Sequence, residues 1–391
     1  MEHPALSPGN VRGMILVVNC GSSSVKYRLV DPARPADGRR GLVERIGEPG
    51  GPTNHADALA GILADLDLTR RPVAVGHRVV HGGRRFTDPV VVDDDVVAAI
   101  RDLIPLAPLH NPANLAGIVA ARAALPDLPH VAVFDTAFHA TLPPAAATYA
   151  IDRAVAARHD VRRYGFHGTS HRYVAHRTAD LLGRDIGGLN VITLHLGNGA
   201  SATAVAGGHS VETSMGLSPL EGLVMGTRGG DLDPAVSLHL QRTARLGVDE
   251  VDDLLEHRSG LAGLCGDKDM REVLVRRAAG DPHATLAFDV YCHRIRKYVG
   301  AYHAVLGRLD AITFTAGVGE HAAAVRATSL AGLSEWGIAV DPARNADGDG
   351  ARVISPEGAR VAVCVVPTDE ELAIALEVVP LVGPRFPVIM I

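Results

Sequence analysis

The 391-residue sequence has few of the features that mark several common classes of protein. Its four cysteines (Cys20, Cys265, Cys292 and Cys364) are scattered without metal-ligand spacing, which is typical of reduced thiols in a cytoplasmic protein. No apolar run is long enough to span a membrane, and residues 1–13 lack the apolar core of a signal peptide. The formal net charge of −6 favours neither nucleic acid nor a membrane surface as a partner. We therefore expect a cytoplasmic protein.

The sequence also lacks the glycine-lysine loop of P-loop proteins, but residues 15–30 contain a different candidate phosphate loop. An apolar run, a small polar break and an alternating run predict two antiparallel strands joined by a tight turn. The turn carries Ser22 and Ser24, with Asn19 before it and Lys26 after it. Backbone N–H groups, hydroxyls and one ammonium group could bind a polyanion such as a triphosphate. A serine-rich turn with only a structural role is the alternative.

Length and composition predict a two-domain α/β protein. A chain of this length is too long to fold around a single ordinary hydrophobic core. A content of 47% hydrophobic residues with 42 glycines is typical of a globular, loop-rich fold. In the first half the hydrophobic pattern alternates between strand and helix periods. It predicts strands at 73–80 and 130–134 and helices at 56–65, 93–106 and 112–125, and we place a domain boundary near Ala150.

The second half repeats this plan. A strand at 190–196, a small polar turn at 197–201 and a strand at 202–206 copy the opening hairpin. A third strand, 311–316, leads into the glycine-rich segment Gly317–His321, where close backbone approach suits an adenosine; a strand-to-helix turn is the alternative. Helices are predicted at 233–246 and 284–306. The last helix opens with acidic residues, which suit its positive end and could also reach a magnesium ion through water.

Nine short segments, taken together, carry a resemblance that extends over the chain after residue 13. They are Asn19–Lys26, Gly76–Gly83, Ala107–Pro112, Phe134–His139, Arg163–His171, His195–Gly199, Met215–Gly222, Met225–Asp231 and Thr315–Glu320. In this order they resemble the signatures of the acetate kinase family. The resemblance implies two duplicated actin-like (ribonuclease H-like) α/β domains facing across a nucleotide cleft. The domains would comprise residues 14–150 with 372–391, and residues 151–371, after a loose extension at 1–13.

The resemblance also implies an activity: reversible, magnesium-dependent phosphorylation of acetate by ATP, giving acetyl phosphate and ADP, with manganese as a possible substitute metal. It implies a homodimer, with a phosphotransacetylase as metabolic neighbour. Propionate or butyrate as the substrate is one alternative. A non-catalytic nucleotide switch of the actin or chaperone type is another alternative. That function would have no use for Arg78, His167 and Arg228 together.

Roles for single residues follow from the same resemblance. Arg78 would grip the substrate carboxylate, and His167 and Arg228 would stabilise the phosphoryl group in transit, with Asp135 as a further catalytic residue. Asn19, Asp135 and Glu370 would organise the metal, with Glu371 as an alternative to Glu370. The methyl pocket would consist of Val80, Leu109, Phe166 and Pro219. The nucleotide would contact Ser22, Ser24, Lys26, His195, Leu196, Gly197, Asn198, Gly199, Asp269, Met270, Arg271, Gly317, Val318, Gly319, Glu320 and His321.

The chemistry itself limits what these residues have to do. A carboxylic acid with a pKa of about 4 is already a nucleophile at neutral pH, so no general base is required. The site has to screen negative charge and align the reactants. We therefore interpret Asp135 as an organiser of the metal and of an arginine rather than as a proton acceptor.

Overall fold

A computed structural model describes residues 13–66 and 71–383 of the chain. These residues form two compact units. The first contains the described residues up to Ala140, Gly168–Ser170, and the segment from Asp369 onward; the second contains Thr141–His167 and His171–Thr368. The predicted boundaries at 150 and 371 remain predictions, and the predicted extension lies, apart from Gly13, outside the described residues.

Each unit contains one six-stranded sheet. The strands of the first are β1 (Met14–Cys20), β2 (Ser24–Val30), β3 (Arg39–Glu44), β4 (Pro72–Val79), β5 (Val90–Val91) and β6 (His130–Phe134). The strands of the second are β7 (Asn190–Leu196), β8 (Ala200–Ala206), β9 (His209–Thr213), β10 (Ala311–Thr315), β11 (Arg352–Val353) and β12 (Ala362–Val365).

The two sheets have the same topology. The strand order is β3-β2-β1-β4-β6-β5 in the first and β9-β8-β7-β10-β12-β11 in the second. In both, the first three strands are antiparallel, the next two join in parallel, and the edge strand is antiparallel. The predicted duplication and the two predicted hairpins are therefore confirmed.

The helices predicted from the sequence are present, with shifts of a few residues at their ends, and further helices that were not predicted lie between them. They are α1 (His55–Asp65), α2 (Asp94–Asp102), α3 (Asn111–Ala124), α4 (Pro144–Ala147), α5 (Arg153–Arg158), α6 (Gly168–Leu182), α7 (Pro234–Thr243), α8 (Val248–His257), α9 (Gly260–Cys265), α10 (Met270–Ala278), α11 (Pro282–Leu306), α12 (Ala316–His321), α13 (Ala323–Leu330), α14 (Pro342–Ala346) and α15 (Glu370–Val382). Within the described ranges, no helix combines the length and apolarity needed to cross a membrane.

Two predictions about helices were wrong in detail. The helix predicted at 93–106 ends at Asp102, and a separate 3-10 turn follows at Ile104–Leu106 with Pro105 inside it, because proline cannot donate the next helical hydrogen bond. The segment Gly317–His321 is not an open loop. It belongs to the short helix α12, and its contact with an adenosine remains a prediction.

Helix α15, the last helix in the described part of the chain, belongs to the first unit. Helix α15 packs on β1, β2 and β4. The approach is so close that a Cβ added to Gly76 of β4 would lie 2.9 Å from Ile374 Cγ2 and 3.0 Å from Val378 Cγ2. Only glycine leaves room for this packing, which covers the nearly fully buried strands at the centre of the sheet.

Two buried histidines on neighbouring strands of the first sheet form a defined pair. His77 Nε2 lies 3.0 Å from His130 Nδ1, and His130 Nε2 lies 3.0 Å from the carbonyl oxygen of Leu125. Because that carbonyl can only accept, His130 donates from Nε2 and His77 donates to His130 Nδ1. Burial, with a further contribution from His130, lowers the pKa of His77 to about 3. Burial alone lowers the pKa of His81 to about 4.

We predict acid destabilisation from these histidines. Below pH 6.5, the approximate pKa of an ordinary histidine, these imidazoles bind protons in the unfolded chain but stay neutral in the folded protein. The folded protein therefore loses stability as the pH falls from about 6.5 towards 4. Between pH 7 and pH 5, urea unfolding should show a loss of about 2 kcal/mol for each histidine that stays neutral. The exposed His239 offers a control, since His239→Gln should leave the pH dependence unchanged. Equal stability at both pH values would contradict the prediction.

Candidate active site

The hairpin turn of the first unit presents a small polar surface. Asn19 on β1 and Lys26 on β2 are cross-strand partners. The N–H group of Gly21 donates to the carbonyl of Ser24 at 2.8 Å, which closes the turn. Ser22 is exposed and Ser24 is partly exposed. The turn therefore leaves serine hydroxyl groups at the surface, and their contact with a nucleotide remains a prediction.

The guanidinium group of Arg78, on β4, lies close to the three predicted metal residues Asn19, Asp135 and Glu370. Its Nε and Nη2 donate to the two carboxylate oxygens of Asp135 at 3.2 and 2.5 Å. Asn19 Oδ1 lies 3.4 Å from Nη1, and Glu370 Oε2 lies 3.8 Å from Nε. Thr169 also donates to Asp135, at 3.3 Å. The predicted role of Asp135 as an organiser of an arginine agrees with this two-pronged geometry.

The charges in this cluster do not balance. Two carboxylates face one guanidinium, and Asp135 is only 2% exposed. Burial raises the pKa of Asp135, Arg78 partly offsets the rise, and the nearby Glu370 adds to it. Burial would lower the pKa of Arg78, but Asp135 and Glu370 outweigh it and raise that pKa. A second cation would relieve the excess negative charge.

The residues fit magnesium in donor type. Two carboxylates and one amide oxygen are the ligands that this metal prefers. In the described part of the chain, no three His, Cys, Asp or Glu side chains form a complete metal site. A metal bound by Asn19, Asp135 and Glu370 would therefore take further ligands from water and from nucleotide phosphates, as magnesium commonly does.

Three consecutive acidic residues at the start of α15 contact three different cations of the first unit. Asp369, the N-cap, binds Arg28 of β2 at 2.7 and 2.8 Å. Glu371 forms an ion pair with Lys26 at 2.6 Å. Glu370 is left facing Arg78. This division of partners favours Glu370 over Glu371 at the metal.

In the second unit, His167 stands at a backbone position of unusual conformation. It precedes α6 with φ of 56°, in the left-handed region that non-glycine residues rarely adopt. Its Nδ1 lies 2.8 Å from Ser201 Oγ, and its ring stacks on that of His195 with the ring centres 4.2 Å apart. The backbone strain and the two contacts fix the direction of the imidazole.

The side chains of Arg228 and His167 both lie beside Gly199. A Cβ added to Gly199 would lie 3.1 Å from Arg228 Nη2 and 3.5 Å from His167 Nε2, so both groups adjoin the turn between β7 and β8. Arg228 Nη1 donates to the carbonyl of Pro219 at 2.9 Å. Its nearest carboxylate in the second unit, Glu256, is 3.8 Å away. Burial lowers the pKa of Arg228 and Glu256 partly offsets this, so the guanidinium can gain from an anionic ligand.

Helix α12 is held by an arginine that the sequence analysis missed. Arg326 is 1% exposed and donates to the carbonyls of Gly319 and Glu320 at 3.0 and 2.8 Å, and to Asn345 at 2.7 Å through two of its nitrogens. It thereby satisfies the carbonyl groups that the short helix leaves unpaired. Burial lowers its pKa to about 10. Nothing in the local sequence distinguishes Arg326 from a surface arginine.

The other predicted nucleotide residues have varied environments. Gly197 adjoins Ala316 at the start of α12, so the His195–Gly199 turn and the Gly317–His321 segment are neighbours. Leu196 and Met270 are buried. Asp269 caps α10 and binds the exposed Arg271 at 2.5 Å.

The four residues predicted to line the methyl pocket are divided between the two units. Val80 and Leu109 belong to the first unit, and Phe166 and Pro219 to the second. Val80 and Phe166 are buried, whereas Leu109 is 50% exposed. The pocket remains a proposal.

Comparisons with known proteins agree on one family. The sequence model of the acetokinase family matches residues 52–376. An acetate kinase of Streptomyces avermitilis is 58% identical over 394 residues, which cover 94% of this chain and 97% of that protein. The crystal structure of Porphyromonas gingivalis acetate kinase superposes with a TM-score of 0.89 at 42% identity, covering 93% of this chain and 98% of that one. A propionate kinase from Francisella tularensis gives 0.88 at 41% identity, with coverages of 94% and 99%.

Proposed function

This chain belongs to the acetokinase family, and we propose that it is an acetate kinase, which transfers a phosphoryl group reversibly between ATP and acetate. ATP and ADP are its co-substrates. The observation that carries the proposal is the convergence of His167 Nε2 and Arg228 Nη2 beside Gly199. Two hydrogen-bond donors at one glycine turn suit a group whose negative charge is spread over several oxygens.

The described side chains account for the required chemistry without a general base. Acetate arrives ionised, and Arg78 offers its carboxylate a guanidinium held in place by Asp135. In transfer, acetate oxygen attacks the γ-phosphorus and the bond from phosphorus to the bridging oxygen of ADP breaks. Arg228 and His167 donate to the phosphoryl oxygens. Lys26 and the serines of the hairpin turn, with the His195–Gly199 turn and α12, would hold the nucleotide.

Magnesium, or manganese in its place, would be held by Asn19, Asp135 and Glu370. When bound, the ion neutralises phosphate charge. The excess of carboxylate over guanidinium around Arg78 supports this assignment.

The experiment that tests the function is a hydroxamate assay for acyl phosphate with ATP, magnesium and, in turn, acetate, propionate and butyrate. We expect acetate to give the most product, since Phe166 and Pro219 are proposed to leave little room for a longer chain. Propionate as the better substrate would favour the function named for the Francisella tularensis relative. If ATP binds but no acyl phosphate forms, the nucleotide-switch alternative replaces the kinase.

A pH–rate profile of Asp135→Asn tests the role of Asp135. If Asp135 organises Arg78 and the metal, the variant should rescale the native curve, and raised magnesium should restore part of the activity. Loss of one limb of the curve would identify Asp135 as a proton acceptor instead. Asp253→Asn, at an exposed ion pair, is the control and should leave both the curve and the magnesium dependence unchanged.

We also propose a homodimer, a cytoplasmic location and a phosphotransacetylase as metabolic neighbour. The family resemblance supports the homodimer and the phosphotransacetylase. The four buried cysteines, all free thiols, support a reducing compartment.

A further inference from the structure

A row of hydrogen-bonding groups leads from the interior of the second unit to His167. Ser201 Oγ, on β8, lies 2.8 Å from His167 Nδ1 and 2.7 Å from His171 Nε2. The other ring nitrogen of His171, Nδ1, lies 2.7 Å from Thr193 Oγ1 on β7. Ser201, His171 and Thr193 are all fully buried. The three short contacts form one continuous chain.

The number of hydrogens in this chain restricts its direction. A hydroxyl group carries one hydrogen, so Ser201 cannot donate to both histidines. It could accept from both, but among the described side chains the two imidazoles are the hydrogen-bond partners of this fully buried hydroxyl, so its own hydrogen would then lack an acceptor. Ser201 therefore donates to one histidine and accepts from the other. With both imidazoles neutral, two arrangements remain. In the first, Thr193 donates to His171, His171 donates to Ser201, and Ser201 donates to His167. In the second, all three bonds are reversed.

Distances at the buried end distinguish the two arrangements. In the reversed arrangement His171 donates to Thr193, and the hydroxyl hydrogen of Thr193 has to turn to the carbonyl of Thr203, which is 3.5 Å away. That distance is at the limit of a hydrogen bond. In the first arrangement the same hydrogen forms a bond of 2.7 Å to His171 Nδ1. The first arrangement is therefore the more stable.

We propose that Thr193, His171 and Ser201 are positioning residues that keep His167 in the tautomer with its hydrogen on Nε2. This inference rests on the proposed function in assigning His167 to the phosphoryl group. The Nε2 side of His167 is the side that adjoins Gly199 together with Arg228 Nη2. The imidazole N–H and the guanidinium then donate to the same anion, and His167 works as a neutral donor.

Nitrogen-15 NMR of histidine-labelled protein tests the tautomer directly. Spectra are recorded at mildly alkaline pH, where a histidine with a pKa near 6.5 is neutral, and the signals are assigned with His167→Gln. We expect the native protein to carry the hydrogen on Nε2 and Ser201→Ala to show a mixture of tautomers. Its kcat should fall roughly 10- to 100-fold, with KM values for acetate and ATP within about twofold of native, as expected for a group that orients another.

Two further variants separate positioning from stability. Thr178→Val removes a buried hydroxyl group from α6, the helix that also carries His171. This hydroxyl donates to the carbonyl of Val174 and lies 2.8 Å from the hydroxyl of Thr313. It should lower stability without changing the His167 tautomer or kcat. Ser201→Thr retains the hydroxyl and should keep the Nε2 tautomer.

Two results would overturn the inference: a hydrogen on Nδ1 of His167 in the native protein, or an unchanged tautomer in Ser201→Ala. An Nε2 tautomer in a protein that forms no acyl phosphate would support the assignment of the tautomer while removing the proposed function. The two failures are thus distinguishable.

Discussion

Arg228→Ala should lower kcat for acetyl phosphate formation by about 10³- to 10⁵-fold, the range seen when an arginine that stabilises a transferring phosphoryl group is lost. Arg228 is partly buried, its nearest carboxylate in the second unit is 3.8 Å away, and its Nη2 points to the turn that His167 adjoins. The KM values for acetate and ATP should change much less, because the contact strengthens in the transition state. The hydroxamate assay measures all three quantities.

The matched control is Arg258→Ala, which removes an arginine from an exposed ion pair with Asp253. It should leave kcat unchanged. Arg228→Lys should recover little activity, because an ammonium group lacks the planar pair of N–H donors. A kcat of Arg228→Ala within tenfold of native would remove Arg228 from the catalytic groups.

Arg78→Met should lower the free energy of unfolding by roughly 3–5 kcal/mol at neutral pH, the usual cost of leaving one member of a buried ion pair without its partner. The substitution keeps much of the side-chain volume but removes the two guanidinium donors to Asp135, which is almost fully buried. Urea unfolding measures the loss. Arg258→Met, at the exposed pair with Asp253, should cost less than about 1 kcal/mol.

The pH dependence of Arg78→Met provides a second check. Without Arg78, the pKa of Asp135 in the folded protein rises further above its ordinary value of 3.8. A carboxyl whose pKa is raised by folding contributes stability at low pH and loses it as the pH rises through the folded pKa. The deficit against the native protein should therefore grow as the pH rises above the ordinary carboxyl range towards neutrality. A deficit independent of pH would mean that lost packing, not the charge of Asp135, destabilises the variant.

The sequence predicted those parts of the molecule in which local pattern and chemistry agree. Alternating apolar residues around the Gly21–Ser24 turn specify a hairpin, and its recurrence at Asn190–Ala206 predicted the duplicated sheet. Arg78 and Asp135 were indicated by the family resemblance of the segments Gly76–Gly83 and Phe134–His139. Their mutual pairing, by contrast, depends on the parallel register of β4 and β6.

What the sequence could not predict depends on contacts between distant segments. Arg326 resembles a surface residue of an ordinary helix until the fold brings Asn345 and the end of α12 to its guanidinium. The same holds for Ser201. Its place between two histidines arises only when β8 and α6 come together, and a serine in a strand has no local signal for that role.

The order of segments in the first unit has a consequence for folding during synthesis. Its sheet begins at Met14, yet helix α15, which packs on β4 at Gly76, begins only at Glu370, and its N-cap Asp369 pairs with Arg28 across 341 residues of sequence. Such distant contacts form slowly, because a long loop has to close before any of them forms. The second unit, by contrast, is complete once Thr368 has been added. The nascent chain should therefore complete the second unit first, with the early strands of the first unit waiting until α15 has been made.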